Sequence, residues 1–513
     1  MKRLFLNLLI GLFVISSFAQ EKVTFPELFR DGSWKKYVGK EVVFDQTLYV
    51  CGHNRYEDNM YLSSCRVVEP DELYVAGTPE YEKQRKDSIY MLMRDFHLSG
   101  QSSFVRLGTR INGLKAKIKD SLNVVVYANN DVVSYQLASR PERHAAIGNY
   151  TLKVCGFNIE NYSPNWQNSL GPHSQEQFEQ QQTKIVKALS NIDADIFALC
   201  ELQEDPQTGV ALAEAINKVM GATIYTYLYD GNYSSTKYTK IGFLYKSSKV
   251  SPYGGLGTFA TGVYAKRQYT QGFQEVATGE KFVLSLNHFQ SKASKAPDKG
   301  NSIRLRNAQQ LVDYLNQNLN AQYNDPDVLI LGDLNAYAME EPIRYLYNNG
   351  FINEYNKWEP GGYSYSYKSR VGHLDHALAS KSMDTQITGV TVFHINTDEN
   401  TIAGYQNGID NTMYRCSDHD PVVVGLKLGK AGSAISTTTA PAVYVCKTND
   451  GIALNGYEGT ADLQIVDITG KQVVVVERLS AGQIVPLPAK GFYIAHASTP
   501  LGSFSYKIKI ESY

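Results

Sequence analysis

Charge of one sign is what this 513-residue chain lacks: 50 Lys and Arg stand against 51 Asp and Glu, a formal charge of −1. No basic field advertises a polyanionic partner, so any such partner is held locally, by a metal and a few cations. Beyond the first 20 residues no apolar run is long enough to span a bilayer, which excludes an inserted protein of the helical kind. The chain has only 6 cysteines, and none directly follows the N-terminal apolar run, which argues against lipid attachment there.

What the N-terminus does have is a leader. Met1-Lys2-Arg3 is basic, Leu4 to Phe18 is apolar apart from Asn7, Gly11 and a Ser pair, and Ser17-Phe18-Ala19 fits the small-x-small cleavage rule. The pattern predicts a secretory signal peptide over residues 1–19, cut after Ala19. The mature chain is expected to be exported: secreted, at the cell surface or in the periplasm. An exported chain permits disulfides. Cys51 and Cys65, which flank a polar loop, are the best candidate pair; Cys155 and Cys200 sit inside apolar strands, as a bridge or as two buried thiols.

A chain of this length calls for two or three domains. Residues 20–137 read as a β-rich unit with strands at Glu41–Val50, Phe104–Leu107 and Val124–Tyr127, and a helix over Glu80–Phe96. Ala138–Gly148, polar and carrying Pro141, suits a linker. Residues 149–429 form the largest unit. Helix-like stretches at Phe178–Leu189 and Arg304–Leu319 lead into apolar strands at Ile196–Leu199 and Val328–Leu331, and hairpin-like strand pairs are expected at Ile241–Tyr245 and Phe282–Leu286. This mixture indicates α+β layers around mixed sheets. Residues 430–441 are a Gly-, Ala-, Ser- and Thr-rich linker, and 442–513 alternate as a small β-sandwich.

Five segments of the large unit place an acid, an amide or an imidazole just after an apolar run. They are Phe157-Asn158-Ile159-Glu160-Asn161, Ala198-Leu199-Cys200-Glu201, Gly332-Asp333-Leu334-Asn335, Leu374-Asp375-His376 and Ser417-Asp418-His419-Asp420-Pro421. Such runs read as buried strands. Polar groups at their ends are costly unless they meet each other or a metal. A metal-assisted site at one rim of a sheet follows. Asp333 and Asn335, two apart, are expected on one side of an extended segment.

Taken together, these motifs resemble the endonuclease/exonuclease/phosphatase superfamily, which includes DNase I and abasic-site endonucleases. The similarity is closest to its secreted bacterial nuclease branch, through Gly332 to Ile343, Tyr363-Ser364-Tyr365 and Gly372 to Leu378, and it covers about residues 150 to 428. The resemblance implies a four-layer α/β/β/α sandwich of two mixed sheets, with the site at one rim. It implies Mg2+, with Mn2+ or Ca2+ as alternatives, held by Glu201, with Asn158 helping and the Asp418 carboxylate on the metal side. Asp333 would orient or deprotonate the attacking water and Asn335 would hydrogen-bond the phosphate. His288 matches the phosphate-contacting histidine; Thr239-Lys240 stands where DNase I keeps that histidine's Glu partner, so His288 is expected as an electrophilic donor. Asp375 and His419 would form an essential pair, with Asp375 fixing the tautomer and favouring the charged ring. His376 and Asp420 would support them.

The clustered Tyr225, Tyr227, Tyr229, Tyr233 and Tyr238 can stack on bases or pack a β-rich core. Lys292, Lys295, Lys299, Arg304 and Arg306 can touch phosphates or form a solvated face. The N-terminal unit resembles the OB-like modules that precede some secreted nucleases. The C-terminal unit resembles sorting domains of Bacteroidetes secretion systems, through Val466 to Lys471, Gly491 to Ile494 and Lys507 to Ile510, without the usual basic last residues. The expected partners are a nucleic acid, DNA first, and secretion machinery at the C-terminal unit; the oligomeric state stays open. A phospholipid or inositol-phosphate hydrolase, or a binding protein on an inactive scaffold, are the alternatives.

Overall fold

The computed structural model describes residues 21–25, 27–30, 32–53, 60–88, 90–94, 105–121, 123–126, 134–168, 170–203, 206–229, 239–258, 268–429, 444–448, 451–455, 459–467, 471–486, 491–499 and 502–510. The leader, the 430–441 linker, Phe104, Tyr127, Tyr233 and Tyr238 lie outside them.

Two six-stranded mixed sheets form the centre. The first runs, edge to edge, Tyr225–Leu228, Thr239–Lys246, Ile196–Gln203, Leu152–Tyr162, Val422–Leu426, Ile387–Val392. The second runs Val250–Thr258, Gln268–Glu275, Lys281–Asn287, Val328–Asp333, Asp375–Ala379, Ile352–Asn353. Alternation along the strands sends one set of apolar side chains inward. Val154, Ala198, Ile241 and Val424 of the first sheet meet Phe273, Leu284, Leu329 and Ala377 of the second in one buried cluster.

The outward faces are also apolar and need cover. Helix Gln175–Ile192 starts where Ser174 accepts from the Gln177 N–H, and buries Phe178, Ile185 and Leu189 against Phe157, Phe197 and Val423. Helix Asn301–Asn318 buries Ala308, Leu311 and Leu315 against Val283, Val328 and Ile330 of the second sheet. The result is helix, sheet, sheet, helix. Ile241–Tyr245 and Phe282–Leu286, expected in hairpins, lie in opposite sheets, inside Thr239–Lys246 and Lys281–Asn287. Each pairs antiparallel with the strand just before it, Tyr225–Leu228 and Gln268–Glu275, which is the hairpin-like arrangement expected.

The N-terminal residues build a nine-stranded mixed sheet with a separate core that includes Phe44, Leu62, Val105 and Ile118. The helix expected over Glu80–Phe96 is half right. It spans Pro79–Asp87, capped by the Thr78 side chain, and then Met91–Arg94 pairs as a strand with Met60–Ser63 and Asn123–Val126. Val105–Leu107 is not a strand either, because its backbone bonds elsewhere: the Leu107 N–H donates to the Asp398 carbonyl and the Arg106 carbonyl accepts from the Thr109 N–H in a turn. Cys51 and Cys65 do not bridge; the buried Cys51 thiol donates to the Tyr61 carbonyl across its hairpin. Cys155 and Cys200 are buried thiols.

Ala138–Gly148 has no helix or strand, as a linker should, yet it is pinned. Arg140 pairs with Glu399 at 2.8 Å, and the Pro141 carbonyl accepts from the Tyr414 hydroxyl at 3.0 Å. The C-terminal residues form a three-stranded and a four-stranded sheet that share a core including Leu454, Leu463 and Ala495. Among the described residues no helix is long and apolar enough to cross a membrane.

Candidate active site

Two neighbouring strands of the first sheet lose their regular pairing at the same end. Leu152–Tyr162 slips against Ile196–Gln203 between Asn158 and Tyr162, and Ile196–Gln203 slips against Thr239–Lys246 between Cys200 and Leu202. The residues thrown out are Glu160, Asn161 and Glu201, with φ of 51°, 51° and 66°. Left-handed backbone outside glycine is costly and gathers at functional sites. Bulges re-aim side chains there. Glu201 Oε2 accepts from the Asn161 N–H at 3.0 Å and so ties the two bulges together.

The second sheet presents its own strand ends to the same rim. Asp333 pairs with Asp375 on the antiparallel neighbour. Gly332 has φ 126°, and a Cβ there would sit 2.0 Å from the Asn287 carbonyl oxygen. Only glycine lets these parallel strands converge so closely. Just beyond, His288 Nε2 lies 3.6 Å from Asp333 Oδ2 and 3.7 Å from Glu201 Oε1.

The sheets themselves close at Gly156, where an added Cβ would already touch Leu331 at 3.4 Å. Asn158 therefore reaches across. Its Nδ2 donates to Glu201 Oε1 and to Asp333 Oδ2, both at 3.1 Å. Its Oδ1 accepts from the Glu160 N–H, which fixes the direction of the amide.

His419 Nδ1 meets Asp375 Oδ2 at 2.7 Å, both groups buried. A carboxylate only accepts, so Nδ1 carries the proton and Nε2 faces Asp333 Oδ2 at 3.8 Å. Asp375 is held in turn by Ser364, whose Oγ donates to Oδ2 at 2.8 Å. Ser417 Oγ donates to the Asn158 carbonyl at 2.7 Å and accepts from the His419 N–H at 3.2 Å. Asp420 anchors the loop by accepting from the Asn396 and Thr397 N–H groups and from His394. The Tyr365 ring lies 4.6 Å from the His419 ring, tilted by 31°.

Carboxylates outnumber cations at this rim, and their acidities show it. Burial, then Asp418 and Glu201, pushes the Glu160 carboxyl up to about 8 against Arg415 and His419. Burial, then Asp375 and Glu201 against His419, pushes Asp333 up to about 7. Glu201 is raised by burial and then by Asp418. His419 is raised well above its ordinary value: burial opposes its charge, but Asp375, Asp333 and Asp418 together prevail. Such a rim binds protons or a hard cation. Among the described residues two donor triads are compact enough, Glu201–His288–Asp333 and Asp333–Asp375–His419, each with its ligand atoms within 4.8 Å of one another. The donor set therefore fits a divalent ion.

Asn158, Glu201, His288, Asp333, Asp375 and His419 thus converge. Asp418 stands at the edge, a third exposed and 4.0 Å from His419 Nε2, outside both triads. Asn158 turns its N–H groups, not its oxygen, to the carboxylates. Asn335 is not on an extended segment: its φ is 50°, its N–H donates to Asp333 Oδ1 and its Nδ2 to the Phe289 carbonyl. That tight turn places it beside Asp333 all the same. His376 Nε2 is 2.7 Å from the Ala336 carbonyl and joins its strand to the turn that follows Asp333.

The basic stretch divides. Arg304 is buried on the carbonyls of Gln290 and Lys299, and Lys292 pairs with Glu340. Tyr225 is core, its hydroxyl donating to the Ala194 carbonyl, while Tyr227 and Tyr229 stack at 5.1 Å. Sequence reasoning assigned no role to Glu160, Ser364 or Ser417. All three lie inside or beside segments already singled out, and only their pairing reveals what they do.

A two-sheet sandwich with buried acids, amides and imidazoles at one rim defines a class of phosphoester hydrolases that use divalent metals. The chain belongs to the endonuclease/exonuclease/phosphatase family, whose model matches residues 124–419. No curated protein matches the sequence. Among solved structures it is similar to a family member from Bacteroides vulgatus, at 14% identity over 54% of this chain and 99% of that one, TM-score 0.39. It is similar to a mannosyl-6-phosphatase from Bacteroides thetaiotaomicron, at 16% identity over 54% of this chain and 100% of that one, TM-score 0.39. It is also similar to the catalytic domain of human Nocturnin with bound sulfate, at 15% identity over 56% of this chain and 100% of that one, TM-score 0.40. At such identities the relatives' substrates do not transfer to this chain.

Proposed function

We propose that the protein is an exported, Mg2+-dependent phosphodiesterase that hydrolyses DNA by direct attack of water. The observation that carries the reading is the buried Asp375–His419 pair, whose outward Nε2 faces Asp333 beside Glu201 and His288. Glu201 and Asp333 would hold the ion, with Asn158 spacing their carboxylates and Asp418 adding negative charge at the edge. The ion would supply charge neutralisation at the phosphate.

The chain's own residues do the rest. Asp333 orients the attacking water and accepts its proton. His419, held charged by Asp375, donates toward the phosphate through Nε2. His288, whose Nε2 lies near the same Asp333 oxygen, is a second donor. Asn335 sits within the same turn as Asp333 and orients the phosphate.

DNA is preferred as substrate on the likeness of Gly332 to Ile343 and Gly372 to Leu378 to secreted bacterial nucleases. Export rests on the pattern of residues 1–19. The test is a substrate panel: purified protein with supercoiled circular DNA, RNA and sphingomyelin, each with Mg2+, with Ca2+ and with chelator. Nicking of the circle with Mg2+ and none with chelator is expected. Release of phosphocholine without nicking would replace DNA by a phospholipid.

A further inference from the structure

The residue of greatest consequence outside the family's matched span is Glu72. It lies in the four-residue helix Pro70–Leu73 of the N-terminal sheet unit, while the family match begins at residue 124. Its side chain is nevertheless driven into the catalytic unit: Glu72 is 5% exposed and His373 is 2%. Glu72 Oε1 lies 2.7 Å from His373 Nδ1. Oε2 accepts from the His373 N–H at 3.0 Å and from the Ala338 N–H at 3.4 Å.

These donors sit on two different segments. His373 is two residues before Asp375, and Ala338 is three residues after Asn335. One buried carboxylate therefore joins the segment that carries Asp333 and Asn335 to the one that carries Asp375. The same two segments touch directly through the Leu334 N–H on the Leu374 carbonyl, at 2.8 Å. The N-terminal unit reinforces the grip with backbone bonds: Glu69 N–H to the Val371 carbonyl at 2.9 Å, Val371 N–H to the Val67 carbonyl at 2.9 Å, and Met339 N–H to the Asp71 carbonyl at 3.0 Å. A buried carboxylate is tolerable only because it is fully hydrogen-bonded. Few other groups can accept from an imidazole and two backbone N–H groups at once. Glutamine at this position keeps the shape but removes the charge, and its amide can bond His373 Nδ1 only if the ring moves its proton to Nε2.

We infer that Glu72 is a positioning residue for the hydrolytic site: the N-terminal unit supplies the clamp that sets Asp375, and through it His419, against Asp333. The inference rests on the function proposed above. Its test is the rate of circle nicking at saturating Mg2+ by intact Glu72→Gln and Glu72→Ala chains, well below their unfolding temperatures. His419→Ala serves as control, and the His419 ring 15N resonances of each Glu72 variant are recorded.

Loss of support behind a site residue typically costs about 10- to 100-fold, so kcat is expected to fall by that factor. KM is expected to stay within about threefold, because no substrate contact is removed. The His419 resonances are expected to move. A chain merely loosened by the substitution would unfold earlier and keep its kcat when folded. A kcat within about threefold of the parent in a folded Glu72 variant, while His419→Ala is inactive, overturns the inference and leaves the function standing. If the parent nicks nothing, the function falls instead. The resonances then decide the clamp, and unmoved His419 signals overturn it.

Discussion

At the scale of single residues, the rim is a place where folding stability is sacrificed to function. Asp333 has a folded-state pKa of about 7, far above its ordinary value of 3.8. A raised carboxyl binds its proton more tightly in the folded state. Its unfavourable contribution is therefore absent below about pH 4, grows as pH rises, and is complete above about pH 7. Asp333→Asn in chelator should thus melt at or above the parent's temperature at pH 8, and the gain should vanish near pH 4, by differential scanning fluorimetry. Lower stability at pH 8 would mean that the carboxylate is not strained there. Glu201→Gln removes a charge that a hard cation needs. A large rise in the Mg2+ concentration for half-maximal activity is expected, with the circular dichroism unchanged. An unchanged Mg2+ titration would remove Glu201 from the site. These acids were legible in the sequence because each ends an apolar run. Glu160 was not assigned because its exposure to the site comes from a backbone bulge, which side-chain alternation does not report. The turn at Asn335 escaped the same way: a residue two after an aspartate looks extended until the backbone turns left-handed.

At the scale of elements, the site exists because strand ends from two sheets converge, and glycines set how near they come. Gly156 sets the spacing between the sheets and Gly332 the spacing within the second, with its positive φ and the Asn287 carbonyl 2.0 Å from where a Cβ would be. Gly332→Ala should destabilise the fold on the order of 4 kcal/mol or more. Urea denaturation would measure it, and a loss below about 1 kcal/mol would show that the parallel strands are free to separate. The sheets and their covering helices were readable from periodicity: Gln175–Ile192 and Asn301–Asn318 lie within a few residues of the expected spans. The sheet that each strand joins was not. Ile241–Tyr245 and Phe282–Leu286 look alike in sequence, yet they lie in different sheets, because pairing is decided by chain topology.

At the scale of the whole molecule, the N-terminal unit is bonded to the catalytic unit by groups with no sequence signal at all. Arg66 Nη1 lies 2.9 Å from Asp398 Oδ1 across 332 positions, and Arg106 and Arg140 both pair with Glu399. Tyr363, next to Ser364, donates to the same Asp398 at 2.7 Å. Burial would raise the Asp398 carboxyl, but Arg66, His394 and Arg106 override it and hold it at about 2. A depressed carboxyl stabilises above its unfolded pKa and loses that stabilisation as pH falls through the folded one. From a starting value of 3.8, the contribution is about 2 kcal/mol at neutral pH and fades between about pH 4 and 2. Asp398→Asn should cost at least that much in urea unfolding at pH 7, with the gap to the parent narrowing toward pH 2. By contrast, deleting residues 435 to 513 should leave hydrolysis intact, since none of the rim residues lies there; a folded truncation that is inactive on every substrate would refute this division. The central claim is that Asp375 and His419 act as one unit in metal-dependent phosphodiester hydrolysis. Its most direct test is the nicking rate of supercoiled circular DNA at saturating Mg2+ for the parent, Asp375→Asn, His419→Ala and the double variant. Each single change should cost roughly 10²–10⁴-fold and the double little more, because residues that work as a unit are not additive. Independent, multiplicative losses, or near-parental nicking by His419→Ala, would contradict it.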